Sequence, residues 1–279
     1  MTALAITLGT LNPRSWREAA LAADALGFDA VFISDHIVFP ERMAGALGHG
    51  APSPPPATPL YDSVAYLCFL AGQTRRVKLG TFVYLAGLRH PFIVARAFAT
   101  LDIISDGRAI AGVGAGWLTS EMDALGIDPR SRGARLDEAI TTCRRLWAEP
   151  LIENAGGSYP FEPVRFEPKP PRGAIPVHVG GESDAALARA ARLGEGWMGM
   201  AHTPDSAVGR VTRLADLRAR AGRSGGFEIT VSGTVADGED LERWARAGVD
   251  RVVVSPWRNS REAIPAMETL ARRAGLPGA

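Results

Sequence analysis

Eight short apolar runs rich in β-branched residues, each followed by a longer amphipathic stretch, recur from one end of this sequence to the other. The runs are Leu4–Leu8, Ala30–Ser34, Val77–Val83, Ala109–Val113, Pro176–Gly180, Gly196–Met200, Glu228–Val235 and Arg251–Ser255. Several are apolar at successive rather than alternate positions, the pattern of strands covered on both faces in a parallel sheet. Helical patterns fill the intervals, at Pro13–Leu26, Leu60–Gln73, Pro91–Ile104, Arg135–Trp147, Asp184–Leu193, Pro204–Ala221, Leu241–Ala247 and Arg261–Ala274. The stretches "LGFDAVFIS", "LGEGWMGM" and "AGVDRVVVS" share one grammar, in which a helix stops at glycine and a short link enters a strand. Alternation of this kind predicts the α/β class, and eight units predict one (β/α)8 TIM barrel over residues 1–279.

The rival architecture, an open doubly wound sheet, wants a GxGxxG turn after the first strand, and "AITLGTLNP" does not supply it. "GVGAGW", Gly112 to Trp117, has the wrong spacing and follows the fourth strand. A formal net charge of +1 and the lack of basic runs with interleaved aromatics argue against a nucleic-acid partner. Cys68 and Cys143 lie in apolar helical contexts without metal-ligand spacing, so no metal is expected. The first residues lack a signal-peptide pattern, and no window approaches the roughly 20 apolar residues that span a bilayer. The expectation is a cytoplasmic protein that engages neither membrane nor nucleic acid.

In such a barrel the chemistry sits after the C-terminal ends of the strands. After the second strand comes "SDHI", with Asp35 and His36; the histidine suits proton transfer near neutral pH, or is a surface residue satisfied by water. After the third, Phe82, Val83 and Tyr84 of "TFVY" either back a flat ligand or pack the core. After the fifth, "GGES" lets the backbone approach a ligand at Gly180 and Gly181 and starts a helix at Ser183, a phosphate site or a plain cap. Glu182 would repel a phosphate unless its side chain turns away. Two long segments, His36–Pro59 and Glu149–Ala174, show no regular period and read as irregular loops. No Ser-His-Asp order, HExxH or phosphate-cradling GKS/T loop is present, which disfavours a hydrolase with its own nucleophile.

Five stretches, "ALGFDAVFISDHI", "RVKLGTFVYLAGLRHPF", "LDIISDGRAIAGVGAGW", "RGARLDEAITTCRRLW" and "IPVHVGGESDAALARAARLGEGW", resemble the luciferase-like monooxygenase superfamily, the flavin and deazaflavin barrels related to bacterial luciferase. The resemblance implies an oxidoreductase with a small-molecule substrate, a homodimer in solution, and coenzyme F420 as cofactor, with FMN the alternative. An FMN-dependent monooxygenase, or a flavin-binding protein without turnover, are the corresponding alternative functions. It places His36 beside the coenzyme ring as the catalytic group. It assigns cofactor binding to Asp35, Thr81, Phe82, Val83, Gly114, Ala115, Gly116, Trp117, Gly180, Gly181, Glu182 and Ser183. A non-prolyl cis peptide is implied at Phe82–Val83. Ala115 stands where luciferase has an arginine for the flavin phosphate, which weakens FMN, and "LGT" after the first strand lacks a catalytic glutamate of several deazaflavin enzymes. Arg89, Arg165 and Arg258 are candidates for the coenzyme's anionic tail, and Trp257 for a wall of the substrate space.

Overall fold

The computed structural model describes residues 2–45 and 53–278. Part of the loop His36–Pro59 therefore lies outside the described residues. Eight parallel strands close into a barrel: β1 (Ala3–Thr7), β2 (Ala30–Ile33), β3 (Lys78–Thr81), β4 (Ala109–Val113), β7 (Val177–Gly180), β8 (Gly196–Gly199), β9 (Glu228–Ser232) and β10 (Arg251–Val254). Around the barrel the order is β1, β10, β9, β8, β7, β4, β3, β2. All neighbours are parallel, which makes the protein a (β/α)8 TIM barrel.

The helices that return the chain are α1 (Trp16–Leu26), α2 (Ser63–Ala71), α3 (Pro91–Ile104), α5 (Arg132–Ala148), α6 (Asp184–Leu193), α7 (Pro204–Arg220), α8 (Gly238–Arg246) and α9 (Ala263–Ala274), with a short α4 (Thr119–Ala124) after β4. Their ends follow local chemistry. Asp62 accepts from the Ala65 amide, so α2 starts three residues later than its apolar run suggests. Asp237 caps α8 in the same way, which starts that helix before Leu241. No described helix is long and apolar enough to cross a membrane.

Two departures from the sequence reading matter. The stretch read as an irregular loop before β7 holds an antiparallel hairpin, β5 (Ile152–Asn154) and β6 (Phe161–Val164). The Glu138 carboxylate of α5 gathers its turn, accepting from the Ser158 and Tyr159 amides and from the Asn154 side chain. β3 also ends at Thr81 rather than Val83: pairing stops at Phe82–Val83, whose peptide is cis, and resumes at Tyr84, opposite Val113.

Strand alternation sorts the barrel interior into layers. Ala5, Ala30, Phe32, Ile110, Met198 and Val253 form an apolar middle layer. Below it, at the N-terminal ends, Lys78, His178, Glu228 and Arg251 enter, with Asp29 beside them. His178 is 3% exposed, its Nδ1 makes no hydrogen bond among the described residues, and it lies 3.7 Å from Glu228. Burial pushes its pKa down to about 4, against the pull of Glu228 and with the help of Arg251. The unfolded imidazole, with its ordinary pKa near 6.5, binds a proton that the folded one refuses over that interval. Stability is therefore full above about pH 6.5 and falls by roughly 3 kcal/mol as the pH drops toward 4. Urea unfolding of the wild type and His178→Gln across this range checks it, and the variant should show a shallower decline.

Candidate functional site

At the other end of the barrel, His36 follows β2 in the inward register of Ala30 and Phe32. Its Nδ1 lies 2.8 Å from Oε2 of Glu121. The second oxygen of Glu121 accepts from the amides of Ile37 (2.6 Å) and Val38 (3.2 Å). Glu121 is 1% exposed, so one buried carboxylate fixes both the ring of His36 and the backbone that follows it. An acceptor at Nδ1 places the ring hydrogen there and leaves Nε2, on the opposite edge, as the nitrogen able to exchange a proton with a ligand. Phe39 (centroids 4.7 Å apart) and Trp117 (5.8 Å, edge-on) enclose the imidazole.

Glu121 was not singled out in the sequence. It sits on α4, a helix of six residues, too short for periodicity to reveal. The available signal was its place: a carboxylate shortly after "GVGAGW", past the C-terminal end of the fourth strand, where barrel chemistry sits. The same segment ties that loop down. Ala44 accepts from the Thr119 amide and hydroxyl, its own amide donates to the Ser120 hydroxyl, and Gly45 bridges to Leu118.

The glycines of "GVGAGW" and "GGES" find their reason here. A Cβ on Gly114 would overlap Cγ2 of Val83, and one on Gly180 would lie 2.6 Å from Cγ1. Both glycines thus leave room for Val83, which sits half-buried at the mouth between β4 and β7. Gly116 (φ 84°) and Gly181 (φ 125°) occupy backbone that side chains rarely adopt. Ala115 and Trp117 stay half-exposed beside them, and Phe82, 8% exposed, closes the barrel below Val83. Enlarging Gly114 tests this fit. Gly114→Ala is expected to displace Val83 and weaken binding of any ligand that rests on it by about tenfold, while Gly114→Ala with Val83→Ala recovers most of it. Equilibrium titration of the two proteins decides the point.

At "GGES" the Ser183 hydroxyl caps α6 by accepting from the Ala186 amide (3.2 Å). Glu182 turns away from the helix start. It accepts from the Met200 amide (2.8 Å) and from His202 Nε2 (3.2 Å), and lies 3.5 Å from Arg210. Burial opposes its ionisation, yet His202, the Met200 amide and Arg210 together hold its pKa below the usual value. The amino end of α6 is thereby spared a facing carboxylate, and its amides and dipole remain suited to an anion.

Thr81, Asp35, Arg89 and Tyr84 are all engaged by the protein itself. Thr81 is fully buried and donates its hydroxyl to the Gly112 carbonyl (2.7 Å), which locks β3 to β4. Asp35 is 3% exposed and fully engaged, by both Arg89 nitrogens (2.7 and 3.0 Å), the Leu85 amide and the Ser63 hydroxyl. It braces the start of α2 and the loop after β3, and it also occupies Arg89, whose guanidinium stacks 4.1 Å over Tyr84. Tyr84 points outward into the helix layer, edge-on to Phe98, and burial raises its phenol pKa. Odd–even alternation across an ordinary strand end could not foresee this, because the chain changes direction at Phe82–Val83.

Comparison with known proteins agrees with this architecture. A family model described as luciferase-like monooxygenase matches residues 2–274. An uncharacterized protein of Mycobacterium tuberculosis is 32% identical over 91% of this chain and 92% of its own length. The F420-dependent glucose-6-phosphate dehydrogenase of Amycolatopsis mediterranei is 33% identical over 67% of this chain, which spans 53% of that enzyme. Among solved structures, an F420-dependent secondary alcohol dehydrogenase superposes with a TM-score of 0.79 over 99% of both chains at 18% identity. The monooxygenase RslO1 of Streptomyces bottropensis superposes with a TM-score of 0.77 over 98% of both chains at 24% identity, and these two likenesses speak to the fold. The chain belongs to the luciferase-like monooxygenase family.

Proposed function

We propose that this protein is a coenzyme F420-dependent oxidoreductase acting on a small organic substrate at the mouth of the barrel. The observation that carries the reading is the His36–Glu121 pair, a histidine held by a buried carboxylate with the half-exposed Trp117 ring 5.8 Å away at the barrel mouth. The residues fit a deazaflavin. Val83, seated between Gly114 and Gly180, offers an apolar rest for a flat ring, with Ala115 and Trp117 along its edge. Gly181, Ser183 and the amino end of α6, with Glu182 turned aside, suit a phosphate. F420-dependent relatives at 33% and 34% identity favour this coenzyme over FMN, as does alanine at position 115.

When bound, the deazaflavin supplies a two-electron hydride acceptor or donor. The chain does the rest. Val83, Phe82 and Trp117 keep water from the ring face and orient it. His36 Nε2 takes the proton of a substrate hydroxyl when that substrate is oxidised, and returns it to the oxygen when a carbonyl is reduced. Glu121 holds the imidazole in the tautomer this requires.

Titration of the purified protein with F420 and separately with FMN, followed by ligand and tryptophan fluorescence, tests the proposal. Micromolar or tighter F420 binding with weak FMN binding supports it. Tight FMN binding alone moves the assignment to an oxygen-using monooxygenase, and binding of neither removes it. We infer in addition that the protein pairs with a second copy of itself. Exposed Tyr61 just before α2, Phe69 on α2 and Ile93 on α3 support this, Tyr61 and Ile93 lining an open pocket of about 420 Å³ that also reaches His36. Light scattering should give twice the chain mass, and Phe69→Glu with Ile93→Glu should give the monomer.

A further inference from the structure

The barrel mouth has two chemically different halves. Above β3, β4, β7 and β8 it is lined by Val83, Gly114, Gly180 and the half-buried Met200. Above β9, β10, β1 and β2 the inward register carries hydroxyls. Ser34 follows Phe32, Thr7 follows Ala5, and Ser255 follows Val253 at spacings of two, while Ser232 stands level with Val253. Thr10, just past β1, donates to the Ser255 hydroxyl (3.3 Å) and accepts from the Trp257 indole N–H (3.0 Å). Gly9 draws the set together, since a Cβ there would lie 2.8 Å from the Ser34 Oγ and 3.6 Å from the Thr7 Oγ1. All five side chains are half-buried or exposed. None of their hydrogen bonds among the described residues involves a charged group. His36, two residues beyond Ser34, stands where the hydroxyl half meets the apolar one.

We propose that this arc of Thr7, Thr10, Ser34, Ser232 and Ser255 is the substrate subsite, and that it selects an uncharged molecule bearing hydroxyl or carbonyl groups. Hydroxyls donate and accept with equal ease and rotate to suit, so they satisfy an alcohol or a sugar. They give no counter-charge to a phosphate or carboxylate, whose desolvation in the mouth would go uncompensated. Arg89 is committed to Asp35 and Arg210 to Glu182, and the exposed Arg258, three residues past Ser255, makes no hydrogen bond to any of the five hydroxyls among the described residues. The glucose-6-phosphate dehydrogenase relative acts, by its name, on a phosphorylated sugar. This chain is expected to differ from it in the charge of its substrate. The inference rests on reading the mouth as a coenzyme-dependent redox site.

The test separates the two. Calorimetry of the protein, alone and with F420, uses matched pairs: glycerol and glycerol 3-phosphate, cyclohexanol and cyclohexyl phosphate, glucose and glucose 6-phosphate. In at least one pair the neutral member should bind, and about tenfold or more tightly than its phosphate. Ser34→Ala and Ser255→Ala should each weaken that binding by about fivefold while leaving F420 affinity unchanged. A preference for any phosphate, no binding by any neutral member, or unchanged affinity in both variants overturns the arc. If F420 binds and the phosphates are preferred, the coenzyme assignment stands and the subsite falls. If F420 does not bind yet the serine variants weaken a neutral ligand, the arc stands and the coenzyme assignment falls.

Discussion

His36→Ala is expected to lower kcat by about 10²- to 10⁴-fold, the range for a positioned acid–base group, with coenzyme affinity changed little. The split follows from geometry. The imidazole is anchored through Nδ1 by Glu121 and walled by Phe39 and Trp117, so its Nε2, which makes no hydrogen bond among the described residues, is available for a proton and is not needed to hold the ring floor. Glu121→Gln should have a smaller and different effect. An amide can keep a contact with the Ile37 and Val38 amides through its oxygen, but presents an N–H toward Nδ1 and favours the opposite tautomer. The pH profile of kcat should then shift, whereas a merely structural role for Glu121 would lower stability and leave the profile of the folded enzyme in place. Steady-state kinetics on the best neutral substrate, with F420 binding measured in parallel, reads both variants. Wild-type turnover in His36→Ala would remove the histidine from the chemistry.

The barrel was legible in the sequence because each buried strand is a dense apolar run and each helix is bounded by proline, a capping side chain or glycine. His36 was legible because the position after a barrel strand is a functional address. What stayed hidden was the partner of each residue. Glu121 reaches His36 across 85 positions from a helix of one and a half turns, and no local pattern announces that contact. Asp35 and Thr81 show the reverse. Their places in the motifs suggested contact with a ligand, but neighbouring loops and strands claim their oxygens first. The glycines were noticed as permissive turns. Their closer reason, the γ-methyls of Val83, required the chain's change of direction at Phe82–Val83, which no propensity encodes.

At the floor of the barrel, Arg251→Met is expected to destabilise the fold by about 3–5 kcal/mol, the effect of removing one member of a buried ion pair. Arg251 is 2% exposed; its Nε lies 2.6 Å from Asp29, its Nη1 meets Glu228, and the Thr230 hydroxyl accepts a further bond at 3.0 Å. Burial alone would lower its pKa, but the two carboxylates hold it raised. Methionine fills much of the volume while leaving those carboxylates without this cation, and Lys78, 3.1 Å from Asp29, can answer only one of them. In a protein whose whole stability is of the order of 5–15 kcal/mol, the loss should appear as a fall in Tm of roughly 5–9 °C. If the charges left behind cause the loss, then adding Glu228→Gln and Asp29→Asn should restore much of the stability, because a neutral interior of similar volume is often as stable as a charged one. If volume and shape cause it, the triple variant should be no better than Arg251→Met. F420 affinity of the folded fraction should be unchanged in both, since Ala5, Phe32, Ile110, Met198 and Val253 separate the charged floor from the mouth. A matching fall in affinity would mean that the two ends of the barrel are coupled through that apolar layer.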